Sequence, residues 1–285
     1  MHLAQAALLQ PPALIQAAPG QMGAAAAITP LANVDALSDG SRVRLPAHPM
    51  VQVSTLRLAP GERVVAPERL LLRQALVQQG QLMIEPRGGG RPQRLEAGQW
   101  ALDDGRQTWS AADGVGAQVL VVQHLRRPDR SALAPGAQAS VAPGGPPVRD
   151  SRASAPGGPP VLAASAQTPP RPAEGLFTSD YVGEPITMPD GPLRLLVNRY
   201  VIREGANLPW HLHPEQRYAY VESGSIRVED ERGNSQVYAP GQTLVEQRQV
   251  VHRGINLGQG EVSLLVFDYV PRGVHTNTVV RTSAP

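Results

Sequence analysis

The feature that most constrains the fold of this chain is an internal repeat. Residues 61–69 align with 205–213, and residues 73–80 align with 217–224 at the same offset. Shorter matches continue along both halves, with a slip of one residue. An offset held through most of both halves indicates a duplicated domain. The 285-residue chain is therefore predicted to contain two related domains of similar size.

Each copy has the pattern of a β domain. Short runs rich in Val, Leu, Ile and Tyr alternate with turns of Gly, Pro, Asp and Asn. No segment longer than about ten residues shows helical apolar spacing. Two all-β units with closed or double sheets follow, because closure removes exposed strand edges. In the second copy we predict strands over residues 193–202, 218–221, 225–229, 236–238, 243–246, 252–256 and 262–269.

A segment of different composition separates the copies. Residues 131–174 are dominated by Ala, Pro, Gly and Ser, and Ala-Pro-Gly-Gly-Pro-Pro-Val occurs at 142–148 and again at 155–161. Such a segment cannot bury enough apolar surface to offset its ordering entropy, so we predict a long disordered linker. The predicted organisation is a poorly ordered arm (1–45), a first barrel (46–130), the linker (131–174), a second barrel (175–276) and a tail (277–285).

Composition excludes several function classes. The chain has no cysteine, and all 26 of its basic residues are Arg, so disulfides, thiolate sites, Schiff-base lysines and P-loops are ruled out. A net charge of +2 without basic runs gives no support for nucleic-acid binding. No apolar run reaches membrane-spanning length. The N-terminal region lacks the charged and apolar segments of a signal peptide, so we expect a cytoplasmic protein.

Three of the seven histidines form a pattern typical of a metal site. His211 and His213 are two residues apart, and on a strand that spacing puts both imidazoles on one face. His252 lies in a second strand-like run and can complete a site of three nitrogens. Neutral imidazoles converging inside a barrel bind Fe, Ni, Mn, Zn or Cu. The sequence therefore predicts a divalent transition metal on His211, His213 and His252, and no organic cofactor.

These residues resemble the two motifs of the cupin superfamily, strongly over 190–271 and weakly over 48–126. The resemblance implies a double-stranded β-helix, or jelly-roll barrel, in each half, and hence a bicupin. The second half is similar to quercetinase-type cupins, which implies a metal-dependent dioxygenase acting on a small enol, diketone or aromatic-type molecule. The residues that match the motifs are Gly205, His211, His213, Gly224, Pro240, Gly241, His252 and Asn256.

The chain departs from the family where the first motif carries a Glu ligand. Arg217 occupies that position, and the internal Pro and Gly of the second motif are replaced by Gln247 and Gln249. A cation beside the metal would add repulsion. We expect Arg217 to turn away and pair with an acidic residue, or to anchor an anionic substrate. The acidic candidates are Glu215, Glu222 and Glu246, and a slip in register would instead turn Gln216 or Glu215 inward.

Arg217 and Glu246 are the candidate catalytic residues. Glu246 shares strand parity with His252 if no bulge intervenes, so it is either a charge at the barrel rim or an orienting group or general base. In the first copy, Pro67 and Arg69 stand at the positions of the first two histidines, and Arg73 stands at the Glu position. The first barrel is therefore expected to be a structural partner without metal ligands.

Two functions remain open from the sequence. One is a metal-dependent oxidoreductase of the dioxygenase type, with isomerase or lyase chemistry as the weaker variant. The other is a non-catalytic or sensory bicupin that binds a small anion beside a relict site of core histidines. Either would bind a small molecule, as a monomer or a homodimer. The predicted barrel walls favour a small, partly apolar ligand, and they include Leu208, Val221, Leu244, Leu264 and Val266.

Overall fold

A computed structural model describes the chain in several ranges. Every regular element in these ranges is a β-strand, which confirms the all-β prediction. Within them no helix has the length and apolar character needed to cross a bilayer. The predicted linker lies outside the described residues, as do the two ends of the chain. The described residues are 14–16, 22, 25–37, 40–87, 89, 91–128 and 175–281.

Among the described residues, nine strands precede the predicted linker and ten follow it. Those before the linker are β1 (Leu14–Gln16), β2 (Ala26–Val34), β3 (Met50–Leu58), β4 (Arg63–Val64), β5 (Leu70–Pro86), β6 (Gln93–Glu96), β7 (Trp100–Asp103), β8 (Gln107–Ala111) and β9 (Ala117–Leu125). Those after it are β10 (Gly175–Phe177), β11 (Leu193–Ile202), β12 (His211–Leu212), β13 (Arg217–Ser223), β14 (Ile226–Asp230), β15 (Ser235–Tyr238), β16 (Thr243–Glu246), β17 (His252–Asn256), β18 (Val262–Pro271) and β19 (Val279–Arg281).

The first barrel is organised around β5. The N-terminal part of this strand pairs with β9 and β7, and its C-terminal part pairs with β6 and β8. The sheet continues on one side through β9 to β3 and β10, and on the other through β8 to β4. One long strand thus contributes to both walls, and this closes the sheet into a barrel.

Glycine marks the point where each copy passes from one wall to the other. Gly80 lies within β5, and Gly224 lies between β13 and β14; both have a φ of 74°. A Cβ at Gly80 would overlap the carbonyl oxygen of Gly116, and a Cβ at Gly224 would lie 2.7–2.9 Å from atoms of Glu261 and Val262. Only glycine fits both the conformation and the space, so the aligned glycines of the repeat have one structural reason.

The second barrel consists of two sheets. One has the strand order β1-β19-β12-β17-β14-β15, and the other has the order β16-β13-β18-β11-β2. The predicted strands 193–202, 243–246 and 252–256 have the observed bounds, and the other four predicted strands overlap observed ones. Both halves are thus β-barrels, which confirms the predicted fold class.

Three segments pair differently from the sequence prediction. Residues 26–34 of the predicted poorly ordered arm form β2, an edge strand of the second barrel on β11, where Pro30 is tolerated. Residues 279–281 of the predicted tail form β19 on β12. After the linker, β10 joins β3 of the first barrel. The assignment of an arm and a tail is wrong at β2 and β19, because their pairing partners lie in distant segments that local composition cannot identify.

The buried apolar residues form three clusters. One fills the first barrel around Trp109, and one fills the second barrel around Val221, Leu244 and Leu264. The third contains residues of both halves, such as Val122 and Phe267, so the two barrels pack against each other through a shared apolar layer. Burial of this layer stabilises their contact by the hydrophobic effect.

Candidate metal centre

The three predicted histidines meet inside the second barrel. His211 on β12 is paired in register with His252 on β17, and His213 follows directly after β12. The ring centroids are 4.7, 4.8 and 4.9 Å apart, and one nitrogen from each ring lies within 4.8 Å of the others. All three residues are buried. The two-residue spacing thus places the rings of His211 and His213 on one side of the backbone, as predicted.

Backbone carbonyl groups fix the orientation of every ring. Nδ1 of His211 lies 2.7 Å from the oxygen of Pro209, Nδ1 of His213 lies 2.7 Å from that of Asn277, and Nδ1 of His252 lies 2.8 Å from that of Val250. A carbonyl oxygen only accepts hydrogen bonds, so each Nδ1 carries the proton. Each Nε2 therefore keeps its lone pair, which is the tautomer that a metal-binding imidazole needs.

Glu246 brings a carboxylate to the same point. Its Oε2 lies 3.1 Å from Nε2 of His213, and its Oε1 lies 3.6 Å from Nε2 of His252. Both of these buried nitrogens lack a hydrogen-bond partner. Lone pairs of nitrogen and oxygen thus face one another without a donor between them. A buried cluster of acceptors is unfavourable on its own, and either a proton or a metal cation between them would stabilise it.

Burial and charge set the protonation of these groups. Burial lowers the pKa of His211 well below its ordinary value, with the neighbouring histidines adding to the effect. Burial, followed by the charge of Arg217, lowers the pKa of His213 to about 4. At neutral pH the rings of His211 and His213 are therefore neutral, which leaves their nitrogen lone pairs available to a metal ion.

This donor set fits a divalent transition metal. Imidazole nitrogen suits Zn, Cu, Fe and Ni, and a carboxylate extends the range to Mn. The ionised Glu246 offsets part of the ion's charge, which the imidazoles alone cannot do. The orphaned nitrogens of His213 and His252 are the observation in favour of the fit. The candidate ligands are thus three histidines together with a carboxylate that the sequence analysis assigns only as an orienting group or base.

Arg217 turns away from the histidines and binds Asp268. Its Nε and Nη2 donate to the two carboxylate oxygens at 2.9 and 2.7 Å, and Nη2 also donates to Thr278 at 3.0 Å. From the sequence we predicted a partner among Glu215, Glu222 and Glu246, and that prediction is wrong. Asp268 is directly opposite Arg217 on β18. Register between distant strands decides the pairing, and local sequence does not contain it.

The other residues considered at this position also have different partners. Glu222 accepts two hydrogen bonds from Arg199, at 2.7 and 2.9 Å. The amide group of Gln216 bonds Asp180 and the backbone of Thr187, so a slip that turns Gln216 towards the histidines is not observed. The hydrogen bonds to Asp268 and Thr278 occupy Nε and Nη2 of Arg217, so this two-point fork is not available to an anion.

The buried pair is connected to His213 through Asn277. The side chain of Asn277 donates to Asp268 Oδ1 at 2.8 Å, and its backbone oxygen accepts from His213. Asp268 was not predicted from the sequence, although a carboxylate within the apolar run of residues 262–270 was a usable signal. Asn277 was not predicted either, because it lies in a segment without a regular pattern and gave no signal.

The first barrel has no such centre at the equivalent position. Arg73 is buried and donates from Nε to Asp103 at 2.7 Å, while its guanidinium lies 3.6 Å from the centroid of the Trp109 ring. Pro67 and Arg69 are exposed. Among the described residues, the cluster of possible metal ligands is the one in the second barrel.

A cavity of about 570 Å³ lies beside the second barrel. It is lined by residues 175–181 and by parts of β15 and β16, which are the free edges of the two sheets. The buried hydroxyl of Tyr181 has no hydrogen-bond partner. Burial, followed by the charges of Asp230 and Glu246, raises the pKa of Tyr181. The residues of the predicted apolar walls pack against one another as the core of the second barrel, and of these Leu244 also lines the cavity.

Comparisons with known proteins give one family match and several similar solved structures. Residues 198–268 match the sequence profile of the cupin domain. No curated protein matches significantly. Solved structures similar to the chain include a cupin 2 conserved barrel domain protein from Leptotrichia buccalis, with 12% identity, 87% of this chain and 90% of that chain covered, and a TM-score of 0.39.

Two further similar structures come from other proteins. AerE from Microcystis aeruginosa has 12% identity, with 80% of this chain and 96% of that chain covered and a TM-score of 0.47. Oxalate decarboxylase from Bacillus subtilis, in a structure concerned with its Mn(II) centres, has 16% identity, coverage of 83% and 76%, and a TM-score of 0.46. The matched segment, residues 198–268, includes Arg217, Glu246 and Asp268, so this part of the second barrel matches the cupin domain.

Proposed function

We propose that the chain is a metal-binding cupin whose second barrel holds one divalent transition metal on His211, His213 and His252. The observation that supports it most is the set of hydrogen bonds at the three rings. Each Nδ1 is bound to a carbonyl oxygen, and the buried Nε2 atoms of His213 and His252 have no partner. Core histidines of a relict site would be expected to use both ring nitrogens in hydrogen bonds.

We propose further that the chain is a dioxygenase-like enzyme for a small enol, diketone or aromatic-type molecule. A redox-active ion in the site would supply the electron chemistry of oxygenation, and Zn would supply Lewis-acid polarisation for isomerase or lyase chemistry. The lining of the cavity at the free edges of β15 and β16 contains Tyr, Thr, Ser and Gln side chains and one acid, Asp180, but no Arg or His. Such a lining suits a neutral, hydrogen-bonding ligand better than an anion.

The side chains around the site have distinct proposed tasks. Glu246 is the proposed proton acceptor, since its ionised carboxylate can take the proton of an enol hydroxyl at an oxygen atom. The unpartnered Tyr181 hydroxyl is available to donate a hydrogen bond to a substrate oxygen. The apolar core around Val221 and Leu264 excludes water from the inner side of the histidines. Arg217 is proposed as a structural residue, because its donors face Asp268 and Thr278.

Elemental analysis of tag-free protein, followed by a dioxygen-uptake screen with enols and diketones, tests both parts. The proposal expects close to one transition metal per chain, its loss in His211→Ala, and metal-dependent uptake with at least one compound. A protein without metal, and a His211→Ala variant that binds a small anion as well as the original chain, would favour the non-catalytic binding function. Bound metal without uptake would leave a metal-binding cupin of isomerase or lyase type.

A further inference from the structure

The two barrels place an arginine at the same point of the repeat, each between two neighbouring strands. Arg217 on β13 is paired in register with Glu246 on β16 and with Asp268 on β18. Arg73 on β5 is paired in register with Asp103 on β7 and with Gln123 on β9. Each arginine therefore has an acidic residue on one side, and only the second barrel has an acidic residue on the other side as well.

This difference decides which carboxylate the arginine takes. In the first barrel Arg73 binds Asp103, the residue equivalent in position to Glu246. In the second barrel Arg217 makes a two-point contact with Asp268 and leaves Glu246 to the histidines. A buried guanidinium needs a carboxylate partner, because an uncompensated buried charge is strongly unfavourable. Asp268 meets that need for Arg217, whereas Gln123 cannot do so for Arg73.

Glu246 is therefore free to interact with a cation in the site. Its side chain is 11% exposed, and its two oxygens lie 3.1 and 3.6 Å from Nε2 of His213 and His252. Were Arg217 to bind Glu246 as Arg73 binds Asp103, the carboxylate would be neutralised by the guanidinium. The metal centre would then be left with three neutral ligands beside a positive charge.

We propose that Glu246 is the fourth protein ligand of the metal, and that Asp268 is a positioning residue that keeps Glu246 available by holding Arg217. The carboxylate of the centre thus comes from β16. The family's Glu position lies on the neighbouring strand, β13. This inference rests on the proposed metal site at the three histidines. A carboxylate bound through one oxygen retains the other for the proton transfer proposed above.

The test is a competition titration of the metal-free full chain with Zn²⁺ against a chromogenic chelator. Glu246→Gln is expected to weaken Zn²⁺ binding by more than about 100-fold, beyond the 10–100-fold typical of losing a residue that only orients a ligand. Asp268→Asn is expected to weaken it by at least about 10-fold, because Arg217 loses a charged acceptor and turns to Glu246. Arg217→Gln combined with Asp268→Asn is expected to restore the affinity to within about threefold, since no cation then competes for Glu246.

The Co²⁺-loaded protein supplies a second readout that does not depend on activity. The d–d absorption of bound Co²⁺ reports its ligands and geometry, so it should change in Glu246→Gln and return to the original form in the double variant. Asp103→Asn is the matched control, because it breaks the corresponding buried pair of the first barrel. It is expected to leave both Zn²⁺ affinity and the Co²⁺ spectrum unchanged.

The outcomes separate this inference from the function on which it rests. If the original chain binds no Zn²⁺, the proposed metal site itself fails. If it binds Zn²⁺ and loses it in His211→Ala, but Glu246→Gln binds as tightly as the original, Glu246 is not a ligand. If the double variant binds as weakly as Asp268→Asn, Asp268 does not act through Arg217. Should Asp268→Asn fail to fold, the double variant decides alone, and weak binding by it overturns the positioning role.

Discussion

His124 is the residue through which acid should weaken the contact between the barrels. It is fully buried in β9, with its ring centroid 4.5 Å from that of Tyr269 and 6.3 Å from that of Tyr218. Neither ring nitrogen has a hydrogen-bond partner. Burial lowers the pKa of His124 from 6.5 to about 3. The folded state therefore keeps the ring neutral at pH values where the unfolded chain already protonates it.

The sign and size of the effect follow from this difference. Below pH 6.5 the unfolded state binds the proton and the folded state does not, so the free energy of unfolding falls as the pH falls, until about pH 3. Each pH unit within this window is worth ~1.4 kcal/mol. Between pH 7 and pH 4.5, His124 should therefore remove about 2.5 kcal/mol from the stability of the protein.

Urea unfolding of the original chain and of His124→Phe, both in the presence of a chelator, measures this term. A phenyl ring keeps the edge-on contacts with the tyrosines and cannot be protonated, so the variant should lose about 2.5 kcal/mol less between the two pH values. Changes at the metal-site histidines are common to both proteins and cancel in the comparison. His275→Phe, which alters an exposed ring, serves as the control. Equal pH dependence of the original chain and His124→Phe would refute the reasoning.

Three other variants test separate parts of the structure. Trp109→Ala removes a fully buried side chain that stacks on Arg73, and should lower the free energy of unfolding by about 3–5 kcal/mol in chemical denaturation. Gly224→Ala and Gly80→Ala each introduce a Cβ where φ is 74° and backbone atoms are too close, so both should lower the melting temperature. Gly233→Ala, where the added Cβ meets open space, should lower it less. Asn277→Ala removes the side-chain hydrogen bonds to Asp268 and Glu215 that hold the Asn277 backbone oxygen beside His213, and should weaken Zn²⁺ binding by about 10–100-fold in the same titration as above.

Patterns within a short stretch of sequence predicted much of the fold. Strands such as 193–202 and 252–256 were found at their observed bounds because apolar alternation and turn residues are local signals. The convergence of His211 and His213 follows from the two-residue period of a strand. The glycines at the wall changes were found through the repeat, since backbone conformation at those points admits little else.

Pairings between distant segments were not predictable in the same way. The partner of Arg217 is Asp268 because of the register of β13 and β18, which the sequence of either strand does not specify. The strand over 26–34 pairs with a segment of the other half of the chain. The role of Asn277 depends on its backbone oxygen, whose position no side-chain pattern reports.

The central claim concerns three Nε2 lone pairs that meet at one point, and anomalous diffraction from a crystal of the Zn²⁺-loaded protein tests it most directly. The account predicts one strong anomalous peak in the second barrel, about 2.0–2.1 Å from Nε2 of His211, His213 and His252. A crystal with no peak among these rings, or with the ion bound elsewhere while the rings keep their hydrogen bonds, would contradict it.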